Sequence, residues 1–292
     1  MTAVVVNHDT ATDVHELLPR LVHPQVDVVV VDNASQVPPQ VSTDNARLFV
    51  QPDNIGWSRG CNAGAEHALA PVLAFVNPDC HPTADQLLAL AQSLDDESVG
   101  AVAPRFVDAD GKPQAFYFRF PRPVDGLFCF LPAGQRIDEW IGSPFIRRRT
   151  YDFGAGLPGD VDQPGAACLL VRRDDFTAMG GFDEQMFLFF ADTDLCRRFH
   201  DRGLSIRVEW DVPVVHVGGS SVRQLPQARQ REHMQRDYVV YLRRHHGRAT
   251  VVLTKLAAVV LSGLLPAAWH ALRLRPRSAW EQLRATTRVV TA

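Results

Sequence analysis

Three runs of branched apolar residues, each stopped by an amide or a carboxylate, restrict the fold of this chain more than any other feature. They are residues 3–6 followed by Asn7, residues 26–31 followed by Asp32, and residues 72–76 followed by Asn77-Pro78-Asp79. Unbroken valine-rich runs of this length predict strands buried on both faces, the pattern of a parallel sheet covered by helices. The segments between them agree: helices are expected over about 12–22, 58–69 and 84–93, with short strands at 47–50 and 99–103. Ligands of such sheets collect at the carboxyl ends of the strands. Asn7, Asp32 and Asp79 all fall at those ends.

Further on, Asp108-Ala-Asp-Gly111 predicts a tight turn, and residues 119–165, rich in Pro, Gly and Arg without a clear period, predict a long loop that is functional or mobile. Another buried strand is expected over 166–171 and short ones over 206–208 and 214–217, the last containing His216. Between them, the run from Met186 to Phe190 delivers two carboxylates, Asp192 and Asp194, to a helix over 192–202, capped by Asp192 and stopped by Gly203. An apolar wall behind a carboxylate raises its proton affinity, which is how a general base is made. Taken alone, Asp192 reads as a helix cap and His216 as a core or loop histidine. Asp194, two residues on, faces a different side of the helix and reads as a structural or an acceptor-side residue. Trp57 and Trp210 read as packing residues.

The chain has 292 residues and a formal net charge of −3, so bulk electrostatics offer no case for a nucleic-acid partner. Five scattered cysteines (Cys61, Cys80, Cys129, Cys168, Cys196) form no Cys-x-x-Cys pair and point to free thiols in a reducing compartment. Residues 1–7 read as a first strand rather than a signal peptide. No glycine occurs in Asn7-His8-Asp9-Thr10-Ala11 after the first strand, which argues against a Rossmann dinucleotide site, and no P-loop motif is present. Residues 249–269 carry a single charge, Lys255, and are flanked by arginines on both sides. Their length would just span a bilayer. Spanning would export Arg273, Arg275 and Arg277, so a helix on the membrane surface is favoured, with a buried helix or dimer contact as the alternative.

Taken in order, these segments resemble the family 2 inverting glycosyltransferases, in particular their bacterial rhamnosyltransferase-like branch. The resemblance covers about residues 3–245. It rests on Val-Val-Val-Asn-His-Asp (4–9), Val-Val-Asp-Asn-Ala-Ser (30–35), Asn54-Ile-Gly-Trp-Ser-Arg-Gly-Cys-Asn-Ala-Gly64, Asn77-Pro78-Asp79, Gly165-Ala-Ala167, the 180–203 block and His216-Val-Gly-Gly-Ser-Ser221. It implies an α/β GT-A (nucleotide-diphospho-sugar transferase) fold, with a mostly parallel central sheet flanked by helices. The catalytic domain would cover residues 1–245, and a helical, membrane-associating segment residues 246–292.

By the same resemblance, Asp192 is the catalytic base. Asp79 and His216 hold a divalent cation, Mg2+ or Mn2+. Asn7, Asp32, Asn54, Gly56, Arg59, Asn62 and Asn77 serve the nucleotide sugar, with Asp32 accepting from the pyrimidine base and Gly56 and Gly60 allowing close backbone approach. Gly165, Ala166 and Asp194 lie on the acceptor side. The implied reaction moves a deoxyhexose, L-rhamnose from dTDP-L-rhamnose, to a polyprenyl-diphosphate-linked saccharide such as N-acetylglucosaminyl-diphospho-polyprenol, at the cytoplasmic face of the cell membrane. The chain departs from the family pattern at Asn77 (usually Asp), Ala191 (usually Glu) and His8-Asp9 (usually Tyr-Asn). These departures leave open a degenerate nucleotide-sugar-binding protein, or a family 2 transferase using another UDP- or GDP-sugar.

Overall fold

A computed structural model describes residues 1–125, 151, 159–218, 225–265 and 268. The chain divides into two compact units: Met1–Phe120, Thr150–Phe187 and Ala191–Gln224 form the first, and Pro121–Arg149, Leu188–Phe190 and Leu225–Ala292 the second.

The first unit is built on an eight-stranded sheet. Its strands are β1 (Thr2–Asn7), β2 (Asp27–Asp32), β3 (Ala46–Val50), β4 (Val72–Val76), β5 (Cys80–His81), β6 (Val99–Val107), β9 (Cys168–Arg172) and β10 (Ser205–His216), with the small ribbon β7 (Tyr117–Phe118) and β8 (Gln163–Pro164) beside it. The sheet order is β3-β2-β1-β4-β9-β6-β10-β5. Val28 to Val31 of β2 are fully buried, as are Leu73 and Ala74 of β4. Each such side chain contributes roughly 1.5–3 kcal/mol relative to exposure.

Neighbours β3-β2-β1-β4 pair in parallel, as do β6 and β10, while β9 runs antiparallel to both β4 and β6, and β5 antiparallel to β10. The mostly parallel sheet is therefore interrupted at β9, which the residue pattern of 166–171 did not distinguish from another parallel strand. The interruption has a consequence for the site. The carboxyl ends of β1, β2, β4 and β10 and the amino ends of β9 and β5 share one edge of the sheet. Asn7, Asp32, residues 77–79, residues 165–167 and His216 all emerge there.

Helices α1 (Ala11–Leu17), α2 (Trp57–Glu66), α3 (Ala84–Gln92), α4 (Arg173–Ala178) and α5 (Ala191–Asp201) complete this unit. Helix α1 ends earlier than expected, in a 3-10 turn over Leu18–Leu21, because Pro19 lacks the N–H an α-helix would need. Helix α3 starts with a capping box, Gln86 N–H donating to Thr83 Oγ1 at 3.2 Å and Thr83 N–H to Gln86 Oε1 at 2.9 Å. The expected short strands 206–208 and 214–217 are one strand, β10, whose register with β6 shifts between Glu209 and Pro213.

Helix α2 lies unusually close to the sheet. A Cβ on Gly64 would sit 2.4 Å from Val4 Cγ1, and one on Gly60 2.8 Å from Val6 Cγ1. Gly60 and Gly56 therefore serve internal packing; at Gly56 (φ 88°) a Cβ would meet the Phe187 carbonyl oxygen at 2.6 Å. Gly64→Ala should destabilise the fold by about 1–3 kcal/mol through overpacking against the stiff Val4, measurable by urea unfolding.

In the second unit, α6 (Gln227–His245) is followed by α7 (Arg248–Ala258) and a π-helical turn over Val259–Leu264. The Asp237 carboxylate accepts the backbone N–H groups of Leu188 and Phe189, each at 2.9 Å, and the Phe190 ring packs on Tyr238 and Tyr241 at 5.3 and 6.0 Å. Helix α6 groups with α7 and with residues 188–190. No helix among the described residues is long and apolar enough to cross a membrane. Residues 219–221, Cys129 and the three arginines 273, 275 and 277 lie outside the described residues.

Candidate active site

The strand-end edge carries two polar clusters. The first joins β1 to β2, where Asn7 and Asp32 are register partners. Asn7 Nδ2 donates to Asp32 Oδ1 at 2.6 Å and to Ser35 Oγ at 2.9 Å; Ser35 Oγ donates to Asp32 Oδ1 at 2.6 Å, and Ser35 N–H to Asp32 Oδ2 at 3.0 Å. Asn7 Oδ1 accepts from Thr10 Oγ1 at 2.7 Å. Both Asn7 and Asp32 are 0% exposed. They shape the loops after β1 and β2, where Asp9 and Ala34 each hold a φ of 55°, a conformation that non-glycine residues adopt only when their surroundings impose it. Asp32, expected to face the pyrimidine base, also holds three internal donors and so frames the edge.

The second cluster gathers groups distant in sequence. The strand pairing of His216 with Cys80 sets Asp79 beside His216, and His216 Nε2 lies 3.8 Å from Asp79 Oδ1. Asn77 N–H donates to Ala167 O at 2.8 Å, and Trp57 Nε1 donates to Asn77 Oδ1 at 3.1 Å. One residue back, Ala166 N–H donates to Asp192 Oδ2 at 3.1 Å. At Gly165 a Cβ would fall 2.0 Å from the Phe116 ring, which in turn packs on the His216 ring at 4.8 Å. The short loop 165–167 thus touches the 77–79 turn and Asp192 directly, and His216 through Phe116. That loop therefore links the start of the 77–79 turn to Asp192 along one edge of the sheet.

Asp192 lies inside the first turn of α5 rather than at its cap, since the helix already begins at Ala191. Its Oδ1 accepts from Thr193 N–H at 2.8 Å. Burial pushes its carboxyl above the usual Asp range, opposed by the hydrogen bonds from Thr193 and Ala166. The wall behind it includes Cys61 of α2 and Cys196 of α5, both fully buried free thiols raised first by burial and then by the Asp192 charge. A half-buried carboxylate with raised proton affinity, held in place by two backbone donors and retaining unused lone pairs, is suited to accept a proton.

Asp79 and His216 supply one carboxylate oxygen set and one imidazole nitrogen. Burial pushes the His216 ring below its ordinary value, favouring the neutral form that can bind a cation, with Asp79 opposing and His81 adding. Among the described residues no group of three or more His, Cys, Asp or Glu converges on a metal position. The donor set fits a hard divalent cation that keeps water or phosphate oxygens in its remaining positions.

Several expected site residues have internal partners. Asn62 Oδ1 accepts Phe182 N–H at 2.9 Å while its Nδ2 donates to Phe182 O at 3.0 Å. Asp194 is 0% exposed and pairs with Arg198 at 2.7 Å, and Arg198 also donates to the carbonyls of Met179 and Gly181, each at 2.7 Å. Both residues brace the loop through Gly180 and Gly181, whose φ values of 80° and 72° require glycine. Asp194 therefore belongs to the interior, not to an acceptor surface. Arg59 is exposed and faces Glu184 at 3.4 Å, and the exposed Asn54 accepts the Gly56 N–H at 3.0 Å. Arg198 was readable in advance from its i, i+4 spacing to Asp194. Gln114 and Phe116, which line His216, follow a turn in a stretch with no periodic signal.

The mostly parallel sheet flanked by helices is the α/β arrangement of the GT-A fold. The chain belongs to glycosyl transferase family 2, whose model matches residues 2–149. Its relatives include rhamnosyltransferases. It is 37% identical, over 242 residues and 76% of each chain, to an N-acetylglucosaminyl-diphospho-decaprenol L-rhamnosyltransferase of Mycobacterium tuberculosis. It is 23% identical over 233 residues, 76% of this chain and 70% of the other, to the dTDP-rhamnosyl transferase RfbF of Shigella flexneri. The fold is shared with the mannosyltransferase PcManGT from Pyrobaculum calidifontis in complex with GDP-Man and Mn2+ (TM-score 0.52, 16% identity, 99% of this chain and 85% of that one). It is shared also with GalNAc-T7 with UDP, GalNAc and Mn2+ (TM-score 0.52, 14% identity, 82% and 47%). The chain is a family 2 glycosyltransferase of the rhamnosyltransferase-like kind.

Proposed function

We propose that this enzyme transfers L-rhamnose from dTDP-L-rhamnose, with inversion, to a polyprenyl-diphosphate-linked saccharide at the cytoplasmic face of the cell membrane. The observation that supports the reaction type is that one short loop, 165–167, bonds Asp192 through Ala166 N–H and the Asn77 end of the 77–79 turn through Ala167 O, while Asp79 faces His216 at 3.8 Å. Asp192 accepts the proton of the acceptor hydroxyl as that oxygen attacks the anomeric carbon. The bond from that carbon to the leaving diphosphate breaks on the opposite face, so one displacement inverts the centre. The transition state is oxocarbenium-like, by analogy with glycoside hydrolysis. Asp79 and His216 would hold the cation, which when bound supplies positive charge against the leaving diphosphate. Ala166 N–H and Thr193 N–H keep the base oriented. The edge framed by Asn7, Asp32 and Asn77, with Asn54 and Arg59 nearby in sequence, takes the nucleotide sugar.

The donor and acceptor follow the names of the two relatives, which act on rhamnose and on a decaprenol-linked sugar. A lipid acceptor also accounts for α7 and its continuation. Val252, Leu256, Val260 and Leu264 recur every four residues and are exposed, with Leu253 and Leu265 beside them and the exposed Arg243, Arg244 and Arg248 just before. An apolar stripe with basic residues at one end suits a helix lying in an anionic lipid surface.

The test is transfer by the full chain with Mn2+ and a prenyl-diphosphate-linked N-acetylglucosamine acceptor, across a panel of nucleotide sugars. dTDP-L-rhamnose should be consumed and an inverted rhamnosyl linkage should appear by NMR. Transfer from a UDP- or GDP-sugar with dTDP-L-rhamnose left untouched would overturn the donor assignment. The pH profile tests the base. Since Asp192 must be ionised and burial raises its proton affinity, kcat/KM should fall as pH drops through a midpoint above the ordinary Asp value of about 3.9. An acid limb at or below that value would remove Asp192 from the role.

A further inference from the structure

We propose that Gln114 is a positioning residue that holds His216 in the Nδ1–H tautomer, with the Nε2 lone pair directed toward Asp79. The proposal rests on the reading of Asp79 and His216 as the cation-holding pair, and the tautomer can be tested apart from that reading.

Two hydrogen bonds carry it. Gln114 Nε2 donates to the His216 backbone carbonyl at 2.7 Å. A carbonyl oxygen only accepts, so the NH2 end of the amide is fixed on that side. The other end, Oε1, then faces His216 Nδ1 at 3.1 Å. An amide oxygen also only accepts, so Nδ1 must carry the ring proton. In a neutral imidazole the remaining lone pair is on Nε2, the atom 3.8 Å from Asp79 Oδ1. The amide orientation is thus decided by a backbone atom, and the tautomer by the amide. A histidine that binds a metal through one nitrogen commonly donates its other N–H to a fixed acceptor, which sets both tautomer and ring orientation.

The surroundings make Gln114 rigid enough for this task. The Asp108–Gly111 turn closes with Gly111 N–H on Asp108 O at 3.0 Å and Asp108 N–H on Lys112 O at 2.9 Å, returning the chain along β6. Gln114 N–H then donates to Phe106 O at 2.9 Å. The His216 ring lies against Phe116 at 4.8 Å and Phe106 at 5.7 Å, so its plane is held from the sides while Gln114 holds one nitrogen.

The experiment uses the full chain with 15N-labelled histidine, at a pH where the ring is neutral. The His216 resonance is assigned by its loss in His216→Gln. Two-bond 1H–15N correlation spectra should show Nδ1–H in the wild type. In Gln114→Leu the ring should lose that preference, and Mn2+ affinity, read by the EPR signal of free Mn2+ in the presence of dTDP, should weaken by about 10–100-fold. Gln114→Glu keeps an acceptor for Nδ1–H but gives up the donor to the backbone. It should retain the tautomer and most of the Mn2+ affinity, whereas a purely structural role for Gln114 predicts that it behaves like Gln114→Leu. An Nε2–H ring in the wild type would overturn the proposal without any variant. So would an unchanged ring in a folded Gln114→Leu protein. If the wild type shows Nδ1–H yet binds no Mn2+, the tautomer control stands and the cation-holding reading of the pair fails.

Discussion

Asp192→Asn is expected to lower kcat by about 10²–10⁴-fold, the range general-base catalysis supplies, while leaving the Kd for dTDP and Mn2+ close to that of the wild type. The amide is nearly isosteric, but its one oxygen can keep only one of the two backbone bonds: placed on the Thr193 N–H it preserves the helix start, while the Ala166 N–H loses its acceptor. What it cannot do is take a proton. The nucleotide and the cation are assigned to other groups, which is why binding and turnover should separate. Stopped-flow binding of a fluorescent dTDP analogue, run beside the transfer assay, checks both halves. Loss of binding in step with turnover would show that Asp192 shapes the donor site instead. The residual activity should also lack the acid limb of the wild-type profile.

Asp194→Ala is expected to cost about 3–5 kcal/mol of stability, because it leaves the Arg198 guanidinium, only 12% exposed, without its carboxylate. The same change loosens the grip of Arg198 on the Met179 and Gly181 carbonyls, so the loop feeding the 186–192 segment should exchange its amide hydrogens faster. Urea unfolding and hydrogen exchange measure these effects. A variant with wild-type stability and a raised KM for acceptor alone would return Asp194 to the acceptor side. The contrast with Asp192 is the point of the pair. Two carboxylates two residues apart on one helix are expected to fail in different ways, one in turnover and the other in folding.

Most of the architecture was readable from residue types. Valine runs ending in Asn7, Asp32 and Asn77 marked the strands and their ligand-facing ends, and Gly203 marked the end of α5 at a φ of 78°. The direction of β9 was not readable, since Cys168 to Val171 are equally buried and apolar whichever way the strand runs. The glycines of α2 gave an ambiguous signal for the same kind of reason. A missing Cβ serves a nucleotide or a neighbouring strand equally well, and only the distances to Val4, Val6 and Phe187 revealed the packing role.

The candidate site divides along similar lines. The types of chemistry present, a carboxylate behind an apolar run, an Asn-Pro-Asp turn and a histidine ending a strand, follow from local order along the chain, because each is produced by its immediate neighbours. Which polar groups are used up internally depends on partners far away. Asp32 bonds Asn7, 25 positions earlier, Asn62 bonds Phe182, 120 positions later, and His216 bonds Gln114, 102 positions before it. Hydrogen bonding is short-ranged and directional, so no pattern of residue types can say which donor meets which acceptor until the sheet has brought the strand ends together.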